Sequence, residues 1–402
     1  MGVFPENWTE SIVLPLFKKG DVNHPGNYRG ISLSDISSKI YSSIINSRIQ
    51  EWVSENDITG EYQAGFKKGY STIDHLFTRM ACVQKQFNAQ SNRKLYVAFI
   101  DFEKAFDSIN RHLLWPILLK NGIHGKLFRC IKSMYSNVKA RVRSGDKLTD
   151  YINCTAGVKQ GDISSPILFT LFINELALEI LNNGRHGVHF SLEMFELFVL
   201  LLADDVVLLS ETITGLQSQL NSLQRAASTL KLKVNMNKSN IIVFRKGGYL
   251  GARERWLYDG IKMPVVNIYK YLGIYFSTRL SFVAACKDLA SRAKQGLIFV
   301  MRKLRELDNA SVELFFKIFD LQIQPIMQYG SEIWGLQQAA QQCEKVHLFA
   351  IKKFLRVNLR TPNDLVYGEL DRYPVTINST INCIRYWIKS VSYTHLTLPT
   401  IA

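Results

Sequence analysis

Two adjacent aspartates interrupt an apolar run in the stretch VLLLADDVVLLS, which spans Val199 to Ser210. An ionised carboxylate in apolar surroundings costs several kcal/mol of free energy unless a partner compensates it. Three explanations are open for Asp204 and Asp205: a turn that lifts both into water, a salt bridge, or a metal ion. Taken alone, such a pair is more often a solvated hairpin turn, so the rest of the sequence has to decide.

The composition indicates a globular protein with a basic surface. The chain has 402 residues, of which 47% are hydrophobic and 21% charged, and this is enough for two or three subdomains around a large core. Lys and Arg number 49 against 34 Asp and Glu, which gives a net charge of +15. Such an excess favours a polyanionic partner, nucleic acid first and an anionic membrane second.

Targeting signals and cysteine pairs are not apparent in the sequence. The six cysteines are scattered without a CxxC pair, which disfavours a disulfide scaffold and a zinc module and fits a reducing compartment. The N-terminus has no signal-peptide pattern, and no apolar stretch reaches the roughly 18 residues of a membrane span. We therefore expect a soluble, intracellular protein, in the nucleus or the cytoplasm, with no membrane partner.

Apolar runs and capping residues predict strands that interleave with helices. LYVAFI, residues 95–100, predicts a strand, and Ser108 is expected to cap a helix that closes at Asn121 and Gly122. A second helix should start at Ser165 and Pro166 and stop before Gly184. Residues 195–210 read as two strands that meet at the aspartate pair, and YKYLGIYFS, residues 269–277, reads as another strand. The predicted fold class is α+β.

A third carboxylate, Asp101, follows directly after the predicted strand 95–100. Carboxylates at strand edges can hold Mg²⁺, which prefers oxygen ligands and keeps water and substrate phosphates in its shell. Two such ions can activate a 3′ hydroxyl and stabilise a leaving pyrophosphate in an in-line displacement. Asp101 by itself is weak evidence, as is the Asp204–Asp205 pair.

A series of motifs in a fixed order connects these carboxylates. AFIDFEKAFDSI (98–109), GVKQGDISSPILFTLF (157–172), LLADDVVLLS (201–210), LKVNMNKS (232–239) and YKYLGI (269–274) follow one another along the chain. FPENWTESIVLPLFKKGD, NYRGISL and QAGFKKGYSTIDHLF precede them, and YGSEIWG follows. The series resembles that of reverse transcriptases, specifically those of non-LTR (LINE-like) retrotransposons, over most of residues 4–390.

The resemblance implies a right-hand polymerase fold, with fingers, a palm whose antiparallel sheet is flanked by helices, and a helical thumb. It implies partial fingers over 1–95, the palm with adjoining fingers segments over 96–280, and the thumb over 281–345. A basic C-terminal connector would occupy 346–390. The thumb contains a basic segment, 281–310, that would track the primer–template duplex through phosphate contacts. An ordinary solvated basic face is the alternative for that segment.

The resemblance also assigns catalytic and metal-binding roles. Asp101 and Asp204 would be the principal ligands of two Mg²⁺ ions, with Asp205 as the supporting carboxylate and the main-chain carbonyl of Phe102 beside them. Lys238 matches the lysine that protonates pyrophosphate, although a solvated lysine at a strand end is an equal alternative.

Nucleotide and primer contacts are implied at further positions. Phe106 matches the aromatic steric gate that excludes a 2′-OH, and its alternative is a core aromatic. Gln160 and Gly161 match the segment that lines the nucleotide pocket, where glycine permits close backbone approach; otherwise they are a polar turn. The remaining matches are to basic fingers positions that meet the triphosphate or template, namely Lys18, Arg29 and Lys67, and to the primer grip, Leu272 and Gly273. Surface basic residues and a buried strand with a glycine bulge are their alternatives.

Three residues depart from the family pattern. Leu202 stands where an aromatic usually precedes Ala203-Asp204-Asp205, and Asp162 stands where a small residue usually follows Gln160-Gly161. Lys231 replaces a glycine that often precedes LKVN. None of these departures removes a metal ligand. Leu202 is expected to loosen the packing beneath the site, and Asp162 to add negative charge near it.

The activity implied is that of an RNA-directed DNA polymerase, which joins dNTPs to a DNA primer 3′ end on an RNA template. The alternative is a catalytically inactive relic that only binds nucleic acid; an RNA-dependent RNA polymerase comes third, because Phe106 argues against ribonucleotides. The intact parent is expected to carry an upstream endonuclease that this chain lacks. Residues 391–400 match a translated sequencing adapter, so we interpret 391–402 as adapter-derived and expect a truncated chain whose natural sequence continued past Ser390.

Overall fold

The computed structural model describes residues 4–60, 62–67, 69–89, 93–183, 186–190, 196–306 and 311–397. These residues form two compact units. The first comprises Met1–Ser71, Leu95–Ile241 and Tyr249–Val265, and the second comprises Thr72–Lys94, Ile242–Gly248 and Val266–Ala402. Both units are built from several separate stretches of the chain.

The regular elements mix strands and helices, as the sequence predicts. The strands are β1 Glu10–Phe17, β2 Tyr28–Ser34, β3 Leu95–Ile100, β4 Lys139–Ser144, β5 Lys147–Leu148, β6 Ile152–Asn153, β7 Val188–His189, β8 Glu196–Leu197, β9 Val199–Leu202, β10 Asp205–Ser210, β11 Asn240–Phe244, β12 Leu257–Tyr258, β13 Ile261–Lys262, β14 Ile268–Tyr271 and β15 Ile274–Ser277. The α-helices are α1 Ile36–Glu55, α2 Thr72–Asn88, α3 Ala105–Ser108, α4 Arg111–Lys120, α5 Gly125–Met134, α6 Ser165–Asn183, α7 Ile213–Leu230, α8 Val283–Arg305, α9 Val312–Ile318, α10 Gln324–Gln328, α11 Ser331–Trp334, α12 Gln341–Phe354, α13 Asn363–Glu369 and α14 Val375–Thr397.

The core of the first unit is an antiparallel sheet in which β10 lies between β3 and β9. All six residues of β3 are buried, because LYVAFI is apolar on both of its faces. Helix α7 packs on β3 and β10, and α6 packs on α7. Most of α6 is buried in this core, which explains why its sequence is apolar nearly all round.

A second sheet of the first unit has the strand order β2-β1-β4-β5, with β6 also paired to β4. Strands β1 and β2 form an antiparallel hairpin with Leu16 opposite Arg29. The connection between them begins at Lys18, whose N–H donates to Asn27 O at 2.8 Å. This pairing brings the two predicted basic positions, Lys18 and Arg29, to the same end of the hairpin.

The second unit is mainly helical. Helix α8 packs against α10 and α12, and α14 packs against α11 and α12. Strands β14 and β15 form a hairpin with Tyr271 opposite Ile274. Its two turn residues, Leu272 (φ 46°) and Gly273 (φ 84°), both have positive φ, as a type I′ hairpin turn requires.

Two predicted elements differ from those observed. Ser108 does not cap the helix that ends before Asn121; it closes the short helix α3, and its hydroxyl donates to Ala105 O at 3.1 Å. Asn110 is the cap instead, and its side chain accepts from His112 N at 2.9 Å. YKYLGIYFS is a hairpin and not one strand, because Leu272 and Gly273 reverse the chain. Gly184 lies outside the described residues.

Helix Ser165–Asn183 is long and apolar enough to cross a membrane by length and composition, but 67% of that apolar window is buried inside the protein. Burial of this kind is typical of a core helix. All six cysteines are free thiols.

Candidate active site

The three predicted catalytic aspartates converge because of strand register. Asp101 follows the last residue of β3, and β3 pairs with β10 such that Ile100 lies opposite Val206. The next residue pair beyond this one is Asp101 and Asp205. Asp204 lies in the two-residue turn that joins β9 to β10. The apolar strands in the sequence are therefore the scaffold that brings three carboxylates to one sheet edge.

Local hydrogen bonds hold the main chain of Asp101. Its N–H donates to Ser239 Oγ at 3.1 Å, and its carbonyl accepts from Asn235 N at 2.7 Å. The residue after it, Phe102, is buried and forms an antiparallel bridge with Val234. The LKVNMNKS segment thus runs alongside the first aspartate, which brings Lys238 to the site.

The electrostatics of the three carboxylates are unfavourable in the absence of a cation. Burial, and then the charges of Asp204 and Asp101, raise the pKa of Asp205 to about 6, while Lys238 opposes that shift. Lys238 Nζ lies 3.2 Å from Asp101 Oδ2. That buried oxygen has no partner with hydrogen-bond geometry among the described residues. An additional positive charge is what this cluster lacks.

The donor chemistry fits Mg²⁺, which prefers carboxylate and carbonyl oxygens. The described side chains do not already form a group of three or more His, Cys, Asp or Glu residues close enough to hold an ion as they stand. The burial and mutual repulsion that raise the pKa of Asp205 are what a cation would relieve.

A cavity of about 870 Å³ opens beside the aspartates. Its walls include nine of the predicted site residues, namely Lys18, Arg29, Asp101, Phe102, Phe106, Gln160, Gly161, Asp204 and Lys238. Asp205 borders the same cluster through its interaction with the other two aspartates. Lys67 is not among the lining residues; its Nζ donates to Thr59 O at 3.3 Å. Leu272 and Gly273 belong to the second unit.

Phe106 is held in place by a stacked aromatic partner. Its ring lies 4.3 Å from the ring of Phe169, centroid to centroid, with an angle of 13° between the planes. Phe169 is fully buried on α6, whereas Phe106 lines the cavity. The carbonyl of Phe106 also accepts from Val158 N at 2.9 Å, which ties it to the loop that carries Gln160.

Gln160 and Gly161 form a turn that packs directly on β2. Ser32 N donates to Gln160 O at 2.7 Å, and Gln160 Nε2 donates to Asp107 Oδ1 at 3.4 Å. Gly161 has φ 113°, and a Cβ there would lie 2.6 Å from Ser32 O. Both the backbone angle and the close approach require glycine at this position.

The structure shows the surroundings of the three residues that depart from the family pattern. Asp162 is buried, and its carboxylate accepts from Ile163 N at 2.8 Å and from Ser164 Oγ at 2.9 Å, so its charge is engaged within the turn before α6. Lys231 has φ 56° and caps the C-terminus of α7, which is where glycine is usually favoured. Leu202 is half-buried opposite Asp205.

Sequence reasoning missed several residues of the cavity wall. Lys104, Asp107, Lys159 and Asn235 all line it. Burial raises the pKa of Asp107, and the nearby charges of Lys104, Lys18 and Arg29 oppose this. All four residues lie inside motifs that the sequence analysis identifies. Membership of a motif was therefore the signal that could have predicted them.

A protein-family model matches the part of the chain that contains this site. Residues 17–276 match the family model described as "Reverse transcriptase (RNA-dependent DNA polymerase)". This range includes every residue that lines the cavity. The chain belongs to the reverse transcriptase family. Its fold is therefore the right-hand polymerase fold, in agreement with the α+β prediction.

The similar proteins of known description come from retrotransposable elements. The chain is 25% identical over 347 residues to a probable RNA-directed DNA polymerase from transposon X-element of Drosophila melanogaster, covering 83% of this chain and 36% of the relative. It is 24% identical over 381 residues to a Pol polyprotein from type-1 retrotransposable element R2 of Popillia japonica, covering 92% and 51%. The predicted resemblance to non-LTR reverse transcriptases is confirmed. The chain spans between 36% and 51% of the length of these two relatives.

A solved structure is also similar to this chain in fold. Telomerase from Candida albicans, determined with a fragment of telomeric RNA, aligns with a TM-score of 0.52 and 11% identity. The alignment covers 90% of this chain and 65% of that one. At this identity the likeness shows the shared fold alone.

Proposed function

We propose that this chain is the polymerase part of a non-LTR retrotransposon protein and catalyses RNA-directed DNA synthesis. The reaction transfers nucleotides from dNTPs to a DNA 3′ end on an RNA template. The observation that carries the proposal is the convergence of Asp101, Asp204 and Asp205 at one sheet edge, beside a cavity with a basic rim. Membership of the reverse transcriptase family supports the same reaction.

The aspartates, with the carbonyl of Phe102, would hold two Mg²⁺ ions. When bound, these ions would activate the primer 3′ hydroxyl and neutralise charge on the leaving pyrophosphate. The chain's contribution is to present the carboxylates on rigid strands. Since burial and mutual repulsion raise the pKa of Asp205 to about 6, Asp205 is the carboxylate that depends most on added positive charge.

The cavity walls supply the groups that bind the dNTP. Lys18 and Arg29 carry positive charge at the rim and would pair with the triphosphate. Phe106, stacked on Phe169, would close on the sugar where a 2′-OH projects. Gln160 and Gly161 would border the base and the template. Lys238, which lies 3.2 Å from Asp101 Oδ2, would give a proton to pyrophosphate.

The wider assignment follows the family pattern. We propose fingers in 1–95, palm in 96–280, thumb in 281–345 and a basic connector in 346–390. In that assignment Lys67 contacts template or triphosphate, and Leu272 and Gly273 grip the primer. The proposed setting is intracellular, and an endonuclease in the longer protein would supply the DNA 3′ end. Residues 391–402 remain interpreted as adapter-derived.

Primer extension on poly(rA)/oligo(dT) with dTTP and Mg²⁺ tests the proposal. Wild-type protein is expected to incorporate dTMP, and Asp204→Ala to lower the rate by about 100-fold or more, since a metal ligand acts on the transition state. Lys126→Ala, a change at an exposed residue of α5, is the control and should leave the rate unchanged.

Equal incorporation by wild type and Asp204→Ala contradicts the assignment of the aspartates. No incorporation by wild type in either Mg²⁺ or Mn²⁺, together with salt-dependent RNA binding, supports the alternative of an inactive relic. Neither outcome depends on a particular template sequence, because poly(rA)/oligo(dT) requires no specific recognition.

A further inference from the structure

The turn that carries Asp204 is strained. Ala203, the first residue of this two-residue turn, has φ 53°. A two-residue hairpin turn with positive φ at this position normally has glycine there, because a Cβ crowds the following carbonyl. Residues in such conformations persist only when their surroundings hold them. The surroundings of Ala203 therefore matter for where Asp204 lies.

A short segment, Tyr62–Gly65, supplies those surroundings. It runs along β9, which pairs with β10 on its other side. Leu201 N donates to Tyr62 O at 2.8 Å, and Ala64 N donates to Leu201 O at 3.1 Å, with a parallel bridge between Gln63 and Leu201. This segment covers the edge of β9 two residues before the turn. Its last three residues, 63–65, begin the QAGFKKGYSTIDHLF motif, and the proposed reaction assigns no role to these three residues.

Gly65 touches the turn itself. A Cβ at Gly65 would lie 2.4 Å from Ala203 N and 3.3 Å from Ala203 Cα. The φ of Gly65 is not in the left-handed region, so the glycine is needed for close approach and not for backbone conformation. Main chain cannot move aside as a flexible side chain can, so any side chain at position 65 displaces the turn.

Gln63 completes the arrangement from inside the core. Its side chain is fully buried, and Oε1 accepts from Gly65 N at 2.8 Å. This bond holds Gly65 in the orientation that lets its Cα face Ala203. A buried amide that binds the main chain two residues on is a local clamp, and replacing it leaves a buried N–H without an acceptor.

We propose that Tyr62–Gly65 is a positioning element for the catalytic turn, in which Gly65 sets the location of Ala203 and hence of the Asp204 carboxylate. The inference rests on the proposed polymerase function for its kinetic consequence, but its structural content is independent of that function. Gly65 and Gln63 touch no substrate in this proposal; they act through the turn.

Three variants test it: Gly65→Ala, Gln63→Leu and, as control, Gly247→Ala. At Gly247 a Cβ meets no atom within 4 Å, and φ is not left-handed. The first two variants are expected to lower kcat for primer extension by about 10- to 100-fold, raise the Mg²⁺ concentration for half-maximal rate, and leave the dNTP KM within about twofold, because misplaced carboxylates affect the chemical step. The control should match wild type.

Hydrogen–deuterium exchange provides a readout that needs no activity. The amides of Leu201 and Ala64 should exchange faster in Gly65→Ala than in wild type, while those in β3 should be unchanged. If wild type does not extend primers, the proposed function fails, and this exchange comparison still decides the positioning role. Unchanged exchange at both amides, or a loss of activity explained entirely by a smaller folded fraction, overturns the inference.

Discussion

Three residues that line the cavity have backbone conformations that are unusual for non-glycine residues. Lys104 (φ 48°), Ala203 (φ 53°) and Phe66 (φ 60°) all have positive φ, and all three line it. Each such conformation costs of order 1–2 kcal/mol for an L-residue. Because local propensity disfavours these conformations, the packing around each of the three residues has to hold it in place.

The stack of Phe106 on Phe169 makes a prediction about sugar discrimination. If Phe106 is the gate, Phe169→Leu should let its ring move and lower the ratio of kcat/KM for dTTP to that for UTP by about fivefold, since removal of one aromatic stack is worth about 1 kcal/mol. Steady-state primer extension with each nucleotide measures the ratio. Phe172→Leu is the matched control, because Phe172 is equally buried on the same helix. An unchanged ratio in Phe169→Leu would remove the positioning role of the stack.

At the scale of elements, helix α2 carries a buried histidine that contacts strand β14 within the second unit. His75 is buried, and its Nδ1 lies 3.4 Å from Tyr271 Oη, in strand β14. Its Nε2 has no hydrogen-bond partner among the described residues. Burial, with the positive charge of Arg79 acting in the same direction, lowers the pKa of His75 to about 4.

This depressed pKa predicts acid-sensitive stability. Between pH 6.5 and 4 the unfolded chain binds a proton at His75 that the folded chain does not, so the free energy of unfolding falls as pH falls. The contribution is fully present above pH 6.5 and declines by about 3 kcal/mol by pH 4. Urea unfolding of wild type and His75→Leu across this range measures it. The variant should lack this part of the decline, whereas His112→Gln, at an exposed position, should retain it. Parallel curves for wild type and His75→Leu would contradict the assignment.

At the scale of the whole molecule, the excess of 49 basic over 34 acidic residues has a testable consequence. Binding of a primer–template duplex through phosphate contacts releases counterions, so affinity should fall steeply and linearly on a log–log plot against salt. Helix α8 carries exposed basic residues that the proposed thumb would use, among them Arg302.

The prediction is that Arg302→Ala reduces the slope of log K against log salt by about one, with little dependence on duplex sequence. Fluorescence anisotropy of a labelled RNA–DNA duplex between 50 and 200 mM salt measures the slope; over this range 6 to 10 contacts change the affinity by roughly 1000- to 100,000-fold. Lys126→Ala, on helix α5, is the matched control and should keep the wild-type slope. Identical slopes for Arg302→Ala and wild type would exclude Arg302 from the nucleic-acid surface.

The sequence alone determined the elements and most of the candidate site. Apolar runs identified β3, β9 and β10, and capping residues identified α6; the burial of these elements is nearly complete, so their sequences are mostly apolar. Ordered motifs identified nine of the residues that line the cavity. The prediction of a cap at Ser108 was wrong because Ser108 ends the short helix α3. Only two residues separate α3 from α4, and the local sequence does not show which polar residue caps the second helix.

Only the tertiary structure decided what surrounds the aspartate pair that interrupts the apolar run. The register of β3 against β10 brings Asp101 beside Asp205. Lys238 reaches that site from a segment more than 130 residues further along the chain than Asp101. The close approach of Gly65 to Ala203 could not be read from the motif either. Contacts between residues remote in sequence depend on packing, and packing leaves no periodic signal in the residues that it joins.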